Sequence, residues 1–260
     1  DKYLLTASIR WDGSSVLSAE NKWESFPSAA VAWKLNEENF LKDSEIVSTL
    51  KPRISYGFTG NSNVPAYTTL NGLNLQTYYD LGGTTVNGFL PATLGNKDLT
   101  WEKTRELNFG LDFGFFNNRI SGTIDVYDRL SKDLLYTQQL PYESGWETIY
   151  SNVGSVSNKG VEIALTTKNI VSDKVSWTTT FIFSKNTNTL ESIYNQSSVS
   201  DVGNNLHLGH SLNSYYNYVF DGIWQESERA EAATDNQTPG QARVKDLNGD
   251  GVIDSVNDRK

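Results

Sequence analysis

The feature that most constrains this chain is a run of about ten residues, repeated along its length, in which apolar and polar side chains alternate. Successive side chains of a strand point to opposite faces, so each run predicts a strand with one apolar and one polar face. Residues 2–11 set Tyr3, Leu5, Ala7, Ile9 and Trp11 against Leu4, Thr6, Ser8 and Arg10. Residues 26–35 set Ala29, Val31, Trp33 and Leu35 against Ser28, Ala30, Ala32 and Lys34. Five more runs cover about 53–59, 102–115, 119–128, 159–168 and 174–184. The clearest sets Arg105, Leu107, Phe109, Leu111, Phe113 and Phe115 against Glu102, Thr104, Glu106, Asn108, Gly110, Asp112 and Gly114. Between the second and third runs the period changes. Asn36 is placed to cap Glu37-Glu38, and Asp43 or Ser44 to cap a short helix through Ile46, Val47 and Leu50, ended by Lys51-Pro52.

Strands of about ten residues are long for a soluble sandwich and match what a tilted strand needs to cross a bilayer. The connections alternate in length. Segments 12–25, 60–101, 129–158 and 185 onward are long, 36–51 is of medium length, and the turns at Asn117-Asn118 and near 169–173 are short. Short turns at one end and long loops at the other is the layout of an outer-membrane β-barrel. Trp11, Trp33, Phe115, Phe116 and Trp177 fall at or near strand ends or on the apolar face, where a barrel carries its aromatic girdles. A soluble antiparallel sheet packed on another layer accounts for the same alternation. Arg105 on an apolar face lies near a strand end, where a lipid-facing Arg costs about 0–1 kcal/mol against about 2–4 at the midplane.

Composition narrows the function classes. With 31 acidic and 22 basic residues the chain carries a net charge of −9, which argues against nucleic acid. It has no Cys, so disulfides, Cys-based zinc sites and thiol catalysis are excluded. No stretch approaches 18 uncharged apolar residues, which excludes a membrane-spanning helix but not a spanning barrel. The chain contains no Met and opens on no signal peptide, which reads as a processed or excised piece.

The sharpest motif is Asp246-Leu247-Asn248-Gly249-Asp250-Gly251-Val252-Ile253-Asp254. Side-chain oxygens at Asp246, Asn248 and Asp250, a sharp-turn Gly251, the Val252 carbonyl and Asp254 fit the first nine positions of a calcium loop. The closing acid is displaced by one: Asn257 stands at position 12 and Asp258 at 13. No amphipathic helix precedes the loop, so the full helix–loop–helix unit is absent. A bare Asp/Asn/Gly turn is the alternative. His207 and His210 are the only histidines and read as surface loop residues. No G-x-S-x-G, H-E-x-x-H or P-loop spacing occurs, so no enzyme is predicted. Glu102, Glu106, Asp112, Asp125 and Glu162 fall on polar strand faces, where they would line a hydrated lumen or simply be solvated. The long loops carry Tyr67, Tyr78, Tyr79, Tyr142, Trp146, Tyr150, Tyr215, Tyr216, Tyr218 and Trp224. Of these, Tyr78, Tyr79, Trp146, Tyr150 and Trp224 are the candidate substrate contacts, through stacking and hydrogen bonds to a sugar or peptide. Packing of the loops on themselves explains these rings equally well.

Several segments, in order along nearly the whole chain, resemble the SusC/RagA family of TonB-dependent outer-membrane transporters. They are Lys22-Trp23 through Phe26-Pro27-Ser28 to Ala32-Trp33, Phe40-Leu41-Lys42, and Leu50-Lys51-Pro52-Arg53-Ile54-Ser55-Tyr56-Gly57-Phe58-Thr59-Gly60-Asn61. Leu99-Thr100-Trp101-Glu102-Lys103-Thr104, Asn152-Val153-Gly154, Asn158-Lys159-Gly160-Val161-Glu162 and Asp221-Gly222-Ile223-Trp224-Gln225 continue the series. Pro239-Gly240 and Lys245 through Gly251 close it. The resemblance implies a 22-stranded barrel with an N-terminal plug, driven through TonB, and a SusD-like surface lipoprotein that helps capture oligosaccharides or peptides. Against that resemblance these residues read as an interior piece, without the plug, the TonB-contacting segment or the closing aromatic strand.

The resulting expectation is an all-β chain: about seven antiparallel strands from the interior of a larger transmembrane barrel. Residues 1–185 would be barrel strands in outer-membrane lipid. Residues 186–260 would form one long extracellular excursion holding the calcium loop. The parent would be a nutrient channel with no covalent chemistry. The alternative is a secreted soluble β-domain that binds glycans with calcium. A glycan-cleaving enzyme would need two carboxylates about 5–10 Å apart, which the sequence does not place.

Overall fold

A computed structural model describes residues 1–194, 200–201, 204–255 and 258–260 of the chain. They form two compact units. One is Asp1–Ser200 with Leu208–Ser211, and the other is Asp201–His207 with Leu212–Lys260.

The first unit is built on one sheet. In chain order its strands are β1 (Tyr3–Gly13), β2 (Trp23–Trp33), β3 (Val47–Asn61), β4 (Leu73–Leu81), β5 (Thr84–Pro91), β6 (Thr93–Leu94), β7 (Glu102–Phe115), β8 (Ile120–Lys132), β9 (Leu135–Gln139), β10 (Thr148–Asn152), β11 (Ser155–Val171) and β12 (Ser176–Ser192). Seven of them form an antiparallel sheet in the order β1-β2-β3-β7-β8-β11-β12, so neighbours in the sheet follow one another along the chain apart from loop hairpins. β4 and β5 form a separate hairpin, and β6, β10 and β9 a small three-stranded sheet. The second unit holds a short helix, α1 (Arg229–Thr234), and the pair β13 (Phe220–Ile223) with β14 (Ala242–Val244).

All seven expected strands are present, and most are longer than the alternation alone marks. β11 and β12 are 17 residues each. β12 runs on to Ser192 because its last turns pair with the start of β11, Val156 facing Leu190. The short helix expected through Ile46, Val47 and Leu50 does not form. Val47 opens β3 and pairs with Phe115, and Leu50 faces Phe113. The ladder hydrogen bonds to β7 outweigh a helix of one or two turns, which is marginal on its own. Ser44 accepts the N–H groups of Ile46 and Val47 at 3.3 and 3.1 Å, and so closes a turn rather than a helix. Asn36 Oδ1 accepts the Leu50 N–H at 3.2 Å. The only helical piece of this segment is a single turn at Leu35–Glu37.

The buried apolar cluster lies at one end of the sheet, not behind it. Leu17, Phe26, Val64, Leu99 and Trp101 pack together where the connections 14–22, 62–101 and 133–154 leave their strands, with Val16, Phe58, Leu135 and Tyr150 around them. Phe26 meets Trp101 edge-on at 5.5 Å, and the Trp101 indole donates to the Lys22 carbonyl at 3.3 Å. Gly60 makes this possible: a Cβ there would stand 2.1 Å from the Phe26 ring. The opposite end of the sheet has tight turns, 116–119 and 172–175, and the 34–46 connection.

Candidate functional site

The two faces of the sheet are chemically distinct. One hydrogen-bonded row runs Leu5, Val31, Ile54, Phe109, Val126, Val161, Lys185 across all seven strands. The apolar run on β1, Tyr3 to Trp11, is centred on Ala7, two residues above that row toward the long connections. The run ending β12's lower half, Val175 to Phe183, is centred on Thr179, six residues below it. On β7, the middle strand, Phe115 to Leu107 centres on Leu111, in between. The apolar belt therefore climbs about eight residues over six strand steps, or ~26 Å along the strands for ~29 Å across them. A level belt demands a strand tilt of about 40°, within the range of membrane barrels. Nine residues at that tilt span ~23 Å, close to the ~25 Å apolar band of such barrels. The side chains of the belt are open to the surroundings, with Leu5 77%, Trp11 63% and Phe181 57% exposed. Among the described residues no helix is long and apolar enough to cross a membrane.

The opposite face is laced with polar contacts. Arg53 on β3 bonds Asp112 on β7 at 3.0 Å and Asp125 on β8 at 2.8 Å, and Lys51 meets Asp112 at 2.6 Å. Arg129 pairs with Glu106 at 2.7 Å and lies over the Tyr127 ring at 4.5 Å. Tyr127 donates to Asn186, and Asn186 to Asn158, both at 3.2 Å. Asp112, Asp125 and Glu106 are thus members of cross-strand networks, and Glu162 is exposed on the same face. Such a face can border water while holding its strands in register.

At the sheet's short-turn end, Glu38 accepts bonds from Lys2 at 3.0 Å, Tyr3 at 3.0 Å and Trp33 at 3.1 Å. The Tyr3 and Trp33 rings stack at 6.0 Å. Lys2 foremost, then Trp33 and Tyr3, hold the Glu38 carboxyl below its ordinary range.

At the other end, the connections 62–101 and 133–154 build a cleft of about 350 Å³. Trp146, Tyr142, Gln139 and Glu147 line one wall, and Asn74, Leu90 and Pro91 the other. Trp146 is thus the sequence candidate that borders a concavity. Tyr78 and Tyr79 lie on β4, 67% and 50% exposed, outside that cleft. Tyr150 is half-buried against the apolar cluster. Trp224, in the second unit, is 7% exposed: its indole donates to Gln237 at 2.7 Å and its ring carries the Arg243 guanidinium at 5.3 Å. The β4–β5 wall is absent from the sequence reading, although Gly82-Gly83 between two alternating runs is a hairpin signal.

In the second unit the acidic loop folds on its own backbone. Asp246 accepts the Gly249 and Gly251 N–H groups at 2.6 and 2.8 Å. These, led by Gly251 and joined by Asp250 and Asn248, hold its carboxyl below the ordinary range. Asp250 accepts the Val252 N–H at 2.8 Å and the Asn248 side chain at 2.7 Å. Asp258 is fully buried, and its two oxygens accept the Leu247 and Asp254 N–H groups, each at 2.8 Å. Gly249 and Gly251 have φ of 76° and 80°, which favours glycine at both turns. Among the described residues no three His, Asp or Glu side chains converge into a group that could hold a metal. Asn257 lies outside the described residues.

The family model for the β-barrel of TonB-dependent receptor-like proteins matches residues 1–252. The chain belongs to the TonB-dependent receptor β-barrel family. Within it, the chain is 36% identical to the TonB-dependent receptor SusC of Bacteroides thetaiotaomicron over 98% of its own length and 26% of that protein's. It is 38% identical to TonB-dependent receptor P39 of Formosa agariphila, over 87% of this chain and 22% of P39. A solved structure of the RagAB peptide transporter superposes with a TM-score of 0.76 at 30% identity, over 85% of this chain and 24% of that one. The "closed-closed" state of the RagAB peptide importer superposes over 99% of this chain with a TM-score of 0.78 at 25% identity. The chain is of the SusC/RagA kind and spans about a quarter of the length of these relatives. Its seven-stranded sheet is a portion of their barrel wall, and the barrel is not closed by this portion.

Proposed function

We propose that this segment is wall and outer rim of an outer-membrane channel that imports oligosaccharides or peptides, driven through TonB and capped by a SusD-like surface lipoprotein. The observation that carries the reading is the apolar belt. Its climb of about eight residues across the sheet makes sense where tilted strands meet a flat slab of lipid. The polar face then borders the lumen, and the long connections stand outside the cell. Family membership supports transport rather than catalysis. Substrate is met at the outer mouth, where Trp146 and Tyr142 offer ring faces beside Gln139 and Asn74. Tyr78 and Tyr79 add exposed rings on the neighbouring hairpin, Tyr150 packs on the apolar cluster beneath these connections, and Trp224 braces its own unit through Gln237 and Arg243. Calcium is the cation the loop from Asp246 to Asp258 is proposed to take. Asp246, Asn248, Asp250, the Val252 carbonyl and Asp254 would hold it once the Asp246 and Asp250 carboxylates turn from the backbone N–H groups they now bond, with Asp258 closing the loop. The ion would supply rigidity there and no chemistry.

Fractionation of cells carrying the full-length protein tests this reading. Recovery in detergent-extracted outer membranes is expected. Recovery as a soluble secreted monomer would overturn it. With the protein so placed, Trp146→Ala is expected to weaken substrate capture by about 0.5–1.5 kcal/mol, the value of one stacked aromatic contact. For the metal, calorimetric titration with calcium is expected to show heat that Asp250→Ala removes.

A further inference from the structure

The upper border of the apolar belt is not uniform. On β7, β8, β11 and β12 the belt ends in charge: Arg105, Asp128, Lys159 and Lys185 follow Leu107, Val126, Val161 and Phe183 on the same face. On β1, β2 and β3 the corresponding positions are Gly13, Ser25 and Gly60. The four charged residues follow the slope of the belt. Lys185 stands on the row of Phe109, Val126 and Val161. Asp128 and Lys159 face each other two residues higher, and Arg105 is two residues higher again. At a tilt of about 40° these positions share one height, the level where hydrocarbon gives way to headgroups. Lys159 and Asp128 form an ion pair at 3.2 Å, and the Lys159 side chain is 66% exposed. Three cations to one anion leave the patch net positive in a chain whose total charge is −9.

Directly below the lysines the surface is hollowed. An open groove of about 520 Å³ has Leu107, Phe109, Val126 and Val161 for its floor, and Asp128, Lys159 and Lys185 border it. Apolar floor below and cations at the rim match an acyl chain lying against the wall with a phosphate above it. Lys ammonium groups on flexible stems are suited to that role, since they reach a headgroup while their methylenes stay on apolar surface.

We propose that this groove is a site for an acylated lipid with an anionic phosphate headgroup, held by Lys159 and Lys185 with Arg105 behind them. The proposal rests on the reading that the apolar face meets lipid. A free phosphate ion would have no use for the groove, so the lipid is the ligand.

The test uses the full-length protein in nanodiscs of phosphatidylcholine with a minor fraction of phosphatidylglycerol. Bound lipid is counted by native mass spectrometry. Retention of phosphatidylglycerol over phosphatidylcholine is expected, falling about 30-fold in Lys159→Gln/Lys185→Gln, from about fivefold for each lysine near an anionic surface. Lys159→Arg/Lys185→Arg keeps it, and inorganic phosphate does not compete. Equal retention by the Gln variant overturns the proposal, as does displacement by inorganic phosphate. Single exchanges answer the question if the double variant does not fold. A polarity-sensitive label at Phe109→Cys separates the two readings. If the label reports lipid while retention ignores the lysines, only the proposed site falls. If it reports water, the lipid-facing wall falls too.

Discussion

The guanidinium of Arg53 lies over the bare Cα of Gly110, where a Cβ would stand 2.4 Å from its Cζ. That space lets one Arg bridge from β3 to Asp112 on β7 and on to Asp125 on β8. Gly110→Ala is therefore expected to displace Arg53 and lose both pairs. The groups are partly solvated, so the cost is about 1–2 kcal/mol. Urea unfolding of the full-length protein in detergent checks it. Arg53→Gln should cost a similar amount. The double variant should cost little more than either, because both changes remove the same contacts.

Leu99 carries the apolar cluster at the loop end and has no exposed surface. Leu99→Ala is expected to cost about 2–5 kcal/mol, the range for a fully buried leucine. Limited proteolysis should show the connections 14–22 and 62–101 becoming cleavable, while the sheet below them stays resistant. Equal protection of those connections in both proteins would remove the cluster from its role.

Glu38 ties Tyr3 and Trp33 together, and its carboxyl is held below its ordinary value of 4.5 by Lys2 first, then Trp33 and Tyr3. A carboxyl depressed in the folded state stabilises above its unfolded value and loses that contribution as pH falls through the folded one. The emission of Trp33 is expected to stay constant above about pH 4.5 and to change only below it. Glu38→Gln should abolish that acid step and leave the neutral spectrum of the other tryptophans unchanged.

Asp258 closes the acidic loop through two backbone N–H groups from fully buried oxygens. Asp258→Ala is expected to destabilise the second unit by about 1–3 kcal/mol, since two donors lose their acceptor. Hydrogen exchange at Leu247 and Asp254 reads the loss directly. Asp258→Asn should restore part of the protection, through its single amide oxygen.

The strands were legible because their cause is local. A period of two shows in five or six residues, and Glu102–Phe115 matches its expected bounds. The start of β11 and the end of β12 were not legible, because there mostly polar residues continue the ladder and Val156 with Leu190 is a lone apolar pair. The segment 36–50 misled because caps and apolar spacing describe a helix only when no neighbouring strand competes. β3 gains its first residues from Phe113 and Phe115, more than sixty positions away. The bridge from Arg53 to Asp112 and Asp125 was hidden for the same reason: it depends on register. In the outer cleft, Trp146 could be picked out as an aromatic in a loop. Its opposite wall, Asn74, Leu90 and Pro91, is set by how two connections fold against each other.

The length of β11 and β12 has a mechanical consequence. Seventeen residues reach ~56 Å, and at a tilt of about 40° they rise ~43 Å against an apolar band of ~25 Å. With the belt in lipid as proposed, the surplus of ~18 Å stands clear of that band as a stiff parapet. Whatever docks on this rim meets paired backbone at a fixed height before it meets a loop.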